Sequence, residues 1–349
     1  MPIKIPVGLL GATGIVGQRF VQMLEDHPWF EVAWLAASDR SEGRPYGEAA
    51  RWKLKTAIPP RVAQMQVSPA KPDGAPKVIF AALDASIAAE LEPQFADAGC
   101  AVITNSSALR MKSDVPLVIP EVNPDHVKLL ECQAWRRKSG GFVVTNPNCS
   151  AIGLVMALAP LDRQFGLETV MAVTMQAVSG AGYPGVASLD ILGNVIPYIA
   201  KEEEKMESES CKMLGKLDGT GVTPAAIHVS AHCNRVPVED GHTESVSIKL
   251  KKPAKREDIL KALAEFRGVP QELRLPNAPP NPIVVLESPD RPQPTLDVNM
   301  GAGMAVTVGR VRPCRLLDWK FTVLSHNTIR GAAGAALLNA ELLKAQGYL

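Results

Sequence analysis

Apolar runs and helical spacings alternate along residues 5–145, and this change of period predicts strands separated by helices. Short runs rich in Val, Ile, Leu, Phe and Ala predict buried strands at residues 5–10, 31–37, 77–82, 101–104 and 141–145. Residues 18–24 carry apolar side chains three and four positions apart, which is typical of a helix. Strands that alternate with helices favour a doubly wound α/β domain with a parallel sheet.

A different pattern follows Cys149. The predicted strands are residues 168–178, 226–238, 243–250, 305–311 and 319–324. We expect the second and third of these to pair around a turn, with Arg235 and His242 at its two sides, and the last two to pair likewise. A surface helix is expected at 253–266, an irregular Pro-rich connection at 276–294 and a helix at 331–345. These elements predict a second, α+β domain with a mostly antiparallel sheet.

The first predicted strand leads directly into a glycine-rich turn. Gly11, Gly14 and Gly17 have the spacing G-x-x-G-x-x-G, and a predicted helix follows. Glycines let the backbone approach a pyrophosphate, whose charge then lies at the helix N-terminus. The spacing is looser than G-x-G-x-x-G, so its position after the first strand carries the argument against a plain structural turn. We therefore expect a dinucleotide-binding site.

The loop after the second strand determines which dinucleotide is preferred. An acidic residue there accepts a hydrogen bond from the ribose 2′-hydroxyl, and Asp39 supplies one. Ser38, Arg40 and Ser41 could instead bind a 2′-phosphate, since a guanidinium and two hydroxyls suit a phosphate dianion. The alternative is a solvated polar loop. We expect NADP as the cofactor and keep NAD as an alternative because of Asp39.

Further polar residues lie at the carboxyl ends of predicted parallel strands, where such sheets bind ligands. Asp84 and Ser86 follow the strand at 77–82, and Asn105 and Ser106 follow the strand at 101–104. Arg110 comes just beyond, where it is either a surface arginine or a ligand for an anion.

Cys149 lies between a predicted strand and a predicted helix, Ala151 to Ala159. Near a helix N-terminus, unpaired N–H groups and the helix dipole favour thiolate over thiol. Such a thiolate attacks carbonyl carbon, and the same N–H groups can bind the resulting oxyanion. A buried, inert cysteine is the alternative.

Composition excludes several classes of protein. The chain has 349 residues, 46% hydrophobic and 21% charged, with a net charge of +1, which fits a soluble two-domain protein and argues against a nucleic-acid surface. No apolar run suggests a membrane span or a secretory signal, so we expect a cytoplasmic protein. The six cysteines are scattered, which leaves disulfides and a zinc site unsupported. His228, His232 and His242 lack accompanying ligands, so we expect no metal.

Several motifs together resemble the aspartate-semialdehyde dehydrogenase family, in its archaeal and fungal branch. The motifs are GATGIVGQRF (11–20), NSSALRM (105–111), NPNCSA (146–151), QAVSGAGYPG (176–185), RVPVEDGH (235–242) and LSHNTIRGAAGAA (324–336). The resemblance runs from about Val7 to Leu343, and it implies NADP-dependent reductive dephosphorylation of L-aspartyl 4-phosphate to L-aspartate 4-semialdehyde. This reaction belongs to the biosynthesis of lysine, threonine, methionine and isoleucine.

The resemblance also implies roles for individual residues. Cys149 is the nucleophile that forms a thioester, His242 the general acid/base, and Gln176 the residue that orients the thioester. The implied substrate ligands are Arg235 for the carboxylate, Glu209 for the ammonium group, Lys212 and Arg110 for phosphate, and Asn148. The implied cofactor ligands are Gly11, Thr13, Gly14, Ile15, Val16, Ser38, Arg40, Ser41, Leu83, Asn105, Ser106, Gly180, Gly182 and Asn327.

Domain limits and assembly follow from the same resemblance. Residues 1–148 and 327–349 would form the dinucleotide-binding domain, and residues 149–326 the catalytic and dimerisation domain. The implied assembly is a homodimer or homotetramer. Without the resemblance, Glu209 and Lys212 are three positions apart and fit a surface ion pair on a helix.

Three other functions compete with this interpretation. The cysteine, histidine and glycine motifs of this chain also resemble those of malonyl-CoA reductase. The malonyl substrate, however, has no ammonium group that could pair with a glutamate such as Glu209. N-acetyl-γ-glutamyl-phosphate reductase uses similar chemistry with a different cysteine neighbourhood. An inactive nucleotide-binding regulatory protein would be expected to lack Cys149, His242 or Gln176, and all three are present.

Overall fold

Five short strands form a wholly parallel sheet in the computed structural model, which describes residues 3–349. They are β1 (Ile5–Leu10), β2 (Phe30–Ala36), β3 (Val78–Ala81), β4 (Ala101–Thr104) and β5 (Phe142–Thr145), in the spatial order β2-β1-β3-β4-β5. Every residue of β3, β4 and β5 is buried, which explains their continuous apolar sequences. The predicted parallel sheet is confirmed. Met1 and Pro2, which the predicted first domain includes, lie outside the described residues.

Helices connect and cover the strands. They are α1 (Ile15–Leu24), α2 (Tyr46–Ala49), α3 (Pro60–Ala63), α4 (Ala85–Asp97), α5 (Ala134–Ser139), α6 (Cys149–Phe165), α7 (Ser188–Ile191), α8 (Glu202–Met213), α9 (Arg256–Ala264), α10 (Val269–Glu272), α11 (Pro294–Asp297) and α12 (Gly334–Ala345). A π-helical turn, Ile329–Ala333, precedes α12. Insertions of this kind in helices are frequent at functional sites.

A second, mixed sheet follows α6. Its strands are β6 (Leu167–Gln176), β9 (His228–Arg235), β10 (His242–Leu250), β11 (Ile283–Leu286), β12 (Val306–Pro313) and β13 (Trp319–Ser325), in the order β11-β12-β13-β10-β6-β9. β7 (Lys216–Asp218) and β8 (Gly221–Thr223) form a separate two-stranded sheet. The β10–β13, β10–β6 and β12–β13 pairs are antiparallel, whereas β6–β9 and β11–β12 are parallel. The predicted mostly antiparallel sheet is therefore confirmed.

Two details of the predicted topology are wrong. β9 and β10 do not pair with each other, because β6 lies between them and pairs with both. The loop at residues 236–241 is long enough to cross over β6. β11 lies inside the stretch 276–294 that was expected to be irregular, where it is a four-residue edge strand. Prolines beside a short edge strand are compatible with a sheet, because an edge leaves N–H groups unpaired.

The carboxyl-terminal segment returns to the first sheet. Leu337, Leu338 and Leu342 of α12 belong to the same buried cluster as the side chains of β1 to β5. Just before α12, the Arg330 guanidinium donates to both carboxylate oxygens of Glu121 at 2.8 and 2.7 Å, and both side chains are fully buried. A buried ion pair needs this two-fold hydrogen bonding to offset desolvation. The division of the chain at Cys149 stays a prediction.

Helix α6 has no exposed face along most of its length, since every residue from Ser150 to Leu161 is buried. It packs in the core of the second sheet, which explains why its sequence is apolar all round.

Among residues 3–349, no helix has both the length and the apolar character that a membrane span requires. The six cysteines carry free thiols.

Candidate active site

The turn between β5 and α6 places Cys149 at the first position of a 17-residue helix. The side-chain oxygen of Asn148 caps this helix, accepting hydrogen bonds from the N–H groups of Ser150 at 2.9 Å and Ala151 at 3.0 Å. The N–H groups of this helix terminus were expected to bind an oxyanion. That expectation is wrong for Ser150 and Ala151, because Asn148 already occupies them.

Cys149 contacts His242 directly, at a distance of 3.2 Å between Sγ and Nε2. His242 begins β10 and is fully buried. Its other ring nitrogen, Nδ1, accepts a hydrogen bond from the backbone N–H of Ala177 at 3.1 Å. Because a backbone amide can only donate, the proton of the neutral ring lies on Nε2 and faces the sulfur.

The end of β6 holds the remaining polar groups beside this pair. Gln176 is the last residue of β6, and its side-chain amide donates to the Thr174 hydroxyl at 3.2 Å. Arg235 ends the neighbouring parallel strand β9, opposite Gln176. Its guanidinium donates to the carbonyl of Ala177 at 2.7 Å. Ala177 therefore fixes His242 through its N–H group and Arg235 through its carbonyl.

Burial dominates the electrostatics of the pair. It raises the pKa of Cys149 to about 12, with a smaller contribution from the charge of Glu202, while Arg110, Arg235 and Lys205 act in the opposite direction. Burial likewise lowers the pKa of His242 to about 3, assisted by the charges of Arg235 and His326. Burial therefore opposes the helix N-terminus, which was expected to favour thiolate over thiol at Cys149. Burial thus favours the neutral form of both groups.

Two glycines allow close packing around the pair. A Cβ atom at Gly180 would lie 2.9 Å from Arg235 Nη1 and 3.2 Å from His242 Nε2. A Cβ atom at Gly331, in the π-helical turn, would lie 2.8 Å from Cys149 Cβ and 3.0 Å from Cys149 Cα. Any larger residue at either position would displace a group of the candidate site. The carboxyl-terminal segment thus packs directly against the cysteine.

The glycine loop has the close contacts that a dinucleotide site requires. Gly11 has a positive φ of 79°, and a Cβ atom there would overlap the carbonyl oxygen of Ala82. A Cβ atom at Gly17 would overlap the carbonyl oxygen of Gly11. α1 begins just after Gly14 without a side-chain cap, which leaves its terminal N–H groups for a ligand. These residues fit a pyrophosphate.

A cavity of about 1240 Å³ connects the glycine loop with Cys149. It is large enough for a dinucleotide and a small substrate, since pockets for single small ligands are about 300–1,000 Å³. The predicted site residues that line it are Gly11, Thr13, Gly14, Ile15, Val16, Ser38, Leu83, Asn105, Ser106, Arg110, Asn148, Cys149, Gly180, Gly182, Arg235 and Asn327. Asp39 also lines it, whereas Arg40 and Ser41 do not.

Two predicted substrate ligands lie outside this cavity. Glu209 is buried, pairs with Arg110 at 2.9 Å and accepts from the Asn148 N–H at 2.7 Å. Lys212 donates to the carbonyls of Arg110, Lys112 and Val115 at 2.6, 2.9 and 2.9 Å. A lysine has three N–H donors, so none remains for phosphate. The predicted ligand roles of Glu209 and Lys212 are not supported by this placement, and a surface ion pair is wrong because both are buried.

Glu202 and Lys205, about two turns earlier in α8, face the cavity that Glu209 and Lys212 do not line. Both line the cavity, and Glu202 Oε1 accepts from the Asn148 side chain at 2.8 Å. Lys205 lies 3.4 Å from Glu202 Oε2. Neither residue was predicted from the sequence, although the Glu-x-x-Lys spacing occurs at both places in α8.

Asn327 links the carboxyl-terminal segment to the loops beside His242. Its side chain accepts from the Gly241 N–H and donates to the Ser179 hydroxyl, both at 2.8 Å. His228 and His232 are exposed on β9, on the opposite side of the sheet from buried Ala231 and Cys233. Within the described part of the chain, no three His, Cys, Asp or Glu side chains converge as metal ligands.

Comparison with protein families gives two matches along the chain. Residues 6–130 match the family described as "Semialdehyde dehydrogenase, NAD binding domain", and residues 158–330 match "Semialdehyde dehydrogenase, dimerisation domain". An aspartate-semialdehyde dehydrogenase from Methanothermobacter thermautotrophicus is 51% identical over 343 residues, which are 97% of this chain and 99% of that protein. One from Candida albicans is 45% identical over 359 residues, covering 98% of each chain.

Solved structures show the same similarity. The crystal structure of aspartate semialdehyde dehydrogenase with NADP from Candida albicans matches with a TM-score of 0.92 and 44% identity, covering 99% of this chain and 100% of that one. Aspartate semialdehyde dehydrogenase II complexed with ASA from Vibrio cholerae matches with a TM-score of 0.77 and 27% identity, with the same coverage of both chains.

Proposed function

The chain belongs to the aspartate-semialdehyde dehydrogenase family, and from this premise we propose that it converts L-aspartyl 4-phosphate to L-aspartate 4-semialdehyde with NADP as cofactor. One observation carries the proposal: Cys149, in contact with His242, faces the same cavity as the glycine loop. The activity belongs to the biosynthesis of lysine, threonine, methionine and isoleucine, which we expect in the cytoplasm.

Cys149 supplies the nucleophile in this proposal. Attack of its sulfur on the acyl carbon forms a thioester and releases phosphate. Bound NADPH supplies the hydride that reduces the acyl group. Gln176, at the end of β6, would orient the thioester, because its side chain is buried and its amide is held by Thr174.

Charged residues of the cavity wall would bind the substrate. Arg235 suits the α-carboxylate, since a guanidinium can make two parallel hydrogen bonds to it. Glu202 takes the ammonium group in place of Glu209, and Lys205 takes phosphate in place of Lys212, because these two side chains face the cavity. Arg110 is held by Glu209 and still lines the cavity, so it stays a phosphate ligand.

The cofactor would extend from the glycine loop to Asn327. NADP in the related Candida albicans structure supports this assignment. Ser38 lines the cavity and can bind a 2′-phosphate, whereas Asp39 lines it with the opposite preference. Replacing Asp39 by alanine should therefore raise the ratio of kcat/KM for NADP to that for NAD, and an unchanged ratio would contradict this role.

Assembly through the second sheet is part of the proposal. Leu189, Leu192 and Tyr198 are 93%, 70% and 70% exposed, and Met171 and Val173 are exposed on β6. Large apolar side chains exposed to this extent are typical of interaction surfaces. The matched dimerisation domain spans all five residues, so we propose a homodimer or homotetramer in which these side chains become buried. Light scattering, which measures molar mass in solution, tests this assembly in the parent protein and in Leu192→Glu.

The decisive assay is reduction of NADP with L-aspartate semialdehyde, with and without phosphate. NAD and malonyl-CoA with NADPH form parallel arms. We expect turnover that requires phosphate and is lost in Cys149→Ser, while that variant retains NADP binding because the glycine loop is distant in sequence and unchanged. If malonyl-CoA alone were turned over, the roles of Cys149 and His242 would still stand, but L-aspartyl 4-phosphate would be the wrong substrate.

A further inference from the structure

One buried side chain joins three parts of the candidate site that are far apart in the sequence. Glu209 lies in α8, and its Oε1 accepts a hydrogen bond from Arg110 Nη1 at 2.9 Å. Its Oε2 accepts from the backbone N–H of Asn148 at 2.7 Å. Arg110 belongs to the loop after β4, and Asn148 immediately precedes Cys149. Glu209 therefore ties a cationic side chain of the cavity wall to the turn that carries the cysteine.

Both partners of Glu209 are donors, and each takes a different oxygen of its carboxyl group. A carboxylate offers two acceptor oxygens, whereas a glutamine amide offers one oxygen and an NH2 group that can only donate. A glutamine at this position could accept from Arg110 or from Asn148, but its NH2 group would then face the other donor. Holding both partners at once requires a carboxylate.

The Arg110 guanidinium keeps free donors for a ligand. An arginine side chain has five N–H groups; here one donates to Glu209 and one to the carbonyl of Asn105 at 2.6 Å. Nε of Arg110 is buried and has no hydrogen-bond partner in the described part of the chain. Arg110 lines the cavity together with Cys149 and Lys205. A buried, unpaired cationic donor beside a cavity suits an anion.

The proposed reaction makes the spacing between this cation and the sulfur critical. In L-aspartyl 4-phosphate, a single bridging oxygen joins the acyl carbon that Cys149 attacks to the phosphorus that Arg110 would hold. In the reverse direction a phosphate oxygen forms a C–O bond to the thioester carbon, the C–S bond breaks, and its electron pair leaves with sulfur as a thiolate. Arg110 and Cys149 thus act on neighbouring atoms in one step, so an error in their spacing lowers its rate.

We propose that Glu209 is a positioning residue for acyl transfer between sulfur and phosphate, because it fixes Arg110 relative to the turn that carries Cys149. This role rests on the proposed function, and it differs from the ammonium ligand that the family resemblance had implied for Glu209. Hydride transfer between the substrate carbon and the cofactor needs no phosphate. Glu209 therefore contributes to one chemical step and leaves the other nearly unaffected.

Charge and position predict opposite effects of removing this carboxylate. By charge alone, Glu209→Gln removes an anion beside Arg110, so phosphate should bind more tightly and kcat/KM for phosphate should rise. By position, the same change releases either Arg110 or the Asn148 turn, so kcat/KM for phosphate should fall. The sign of the change distinguishes a positioning role from an electrostatic one.

Rapid mixing of Glu209→Gln with L-aspartate semialdehyde and NADP separates the two steps. Without phosphate, the C–S bond forms and hydride passes to NADP, so a burst of NADPH reports formation of the thioester. With inorganic phosphate, steady turnover reports acyl transfer. We expect the burst rate to stay within about threefold of the parent and kcat/KM for phosphate to fall about 100-fold, the usual effect of misplacing a reacting group by about 1 Å.

Glu207→Gln is the matched control, because it makes the same change of charge in the same helix. Glu207 Oε1 accepts from the backbone N–H of Ala231 at 3.1 Å, and Glu207 is not among the residues that line the cavity. Its burst rate and its kcat/KM for phosphate should stay within about twofold of the parent. Circular dichroism and thermal unfolding establish that each variant is folded.

Glu209→Asp tests position without a change of charge. It keeps both acceptor oxygens and shortens the side chain by one C–C bond, about 1.5 Å. Arg110 and Asn148 can then no longer be held at their present separation. We expect kcat/KM for phosphate to fall about tenfold or more while the burst rate stays close to that of the parent. If Glu209→Gln does not fold, this variant decides the same question.

Two results in the folded variants would overturn the positioning role. A parental or higher kcat/KM for phosphate would show that the spacing does not depend on Glu209. Equal losses of burst rate and of kcat/KM for phosphate would show a general structural role instead. Absence of phosphate-dependent turnover in the parent would overturn the proposed function as well, whereas a parent that requires phosphate retains that function whichever result the variants give.

Discussion

Replacing Gly331 by alanine tests how closely the carboxyl-terminal segment holds the nucleophile. The new Cβ would lie 2.8 Å from Cys149 Cβ and 3.0 Å from Cys149 Cα. Carbon atoms in ordinary contact are about 3.5–4.0 Å apart, so the segments must separate by about 1 Å. Neither atom of Cys149 can rotate away, because Asn148 fixes the first turn of α6.

The structure predicts a small loss of stability and a large loss of rate. Overpacking costs about 1–3 kcal/mol, and alanine gains about 1 kcal/mol over glycine in a helix, so the net loss of unfolding free energy is about 0–2 kcal/mol. Misplacing a reacting group by about 1 Å can lower the rate about 100-fold. We therefore expect Gly331→Ala to lower kcat about 100-fold in a protein that remains folded.

Gly334→Ala is the matched control for this variant. It lies in α12, three residues further on, and its Cβ would overlap Met304 Sδ and lie 2.9 Å from Ile329 Cγ2. This glycine has no contact with Cys149 among its nearest neighbours, so the change should lower thermal stability and leave kcat within about twofold of the parent. Initial rates of NADP reduction and thermal unfolding are measured for both. A Gly331→Ala enzyme with parental kcat and parental alkylation rate at Cys149 would refute the reasoning.

Three further predictions concern α8, β10 and the helix cap. Lys205→Met should raise KM for phosphate about tenfold or more. Lys212→Met should mainly lower the free energy of unfolding in urea, by about 1–3 kcal/mol, because buried carbonyls lose their donor. A rise in KM for phosphate in Lys212→Met alone would contradict the assignment of Lys205 to phosphate. Glu244 has a raised pKa in the folded state, so the stability that its proton contributes is present at low pH and lost as the pH rises above its usual value. Glu244→Gln should therefore gain Tm over the parent increasingly from about pH 5 to pH 8, and a constant difference would be evidence against a neutral Glu244. Asn148→Ala should cost about 1 kcal/mol of stability, because α6 loses its cap, and it should raise KM for the semialdehyde, because Glu202 loses its partner. Urea unfolding measures the first effect and steady-state rates the second. A KM for the semialdehyde equal to that of the parent would count against the contact between Asn148 and Glu202.

Local sequence was enough to predict most elements. The strands of the first sheet are short apolar runs, and their partners follow from the alternation with helices. The glycine turn and the Cys149 turn were predictable for the same reason, because each combines a strand end with a helix start. Nothing in either prediction depended on residues far away in the chain.

The register of α8 could not be read from spacing. Glu202 with Lys205 and Glu209 with Lys212 have the same spacing, and the two pairs are seven residues apart. Seven residues are about two helical turns, so both pairs lie on one face. Only the level at which α8 crosses the Asn148 turn determines which pair meets the cavity, and that is a tertiary contact.

The pairing of β9 and β10 and the pKa of Cys149 also could not be predicted from local sequence. The apolar pattern of β9 and β10 shows which face is buried, but not that β6 lies between them. The strand end and helix start were enough to predict the turn that carries Cys149, whereas the burial that raises its pKa involves distant residues such as His242 and Gly331. The helix dipole at Cys149 can be predicted from local sequence, whereas the low dielectric around its sulfur results from tertiary packing.

The return of α12 to the first sheet has a consequence for biosynthesis on the ribosome. Gly331 is made about 180 residues after Cys149, which at about 5–20 residues per second is on the order of 10–40 seconds later. During that interval Glu121 has no Arg330, and the nascent first sheet lacks one of its covering helices. The emerging chain therefore carries an unfinished apolar surface that chaperones would bind, and its thiol acquires its final surroundings only when the last helix docks.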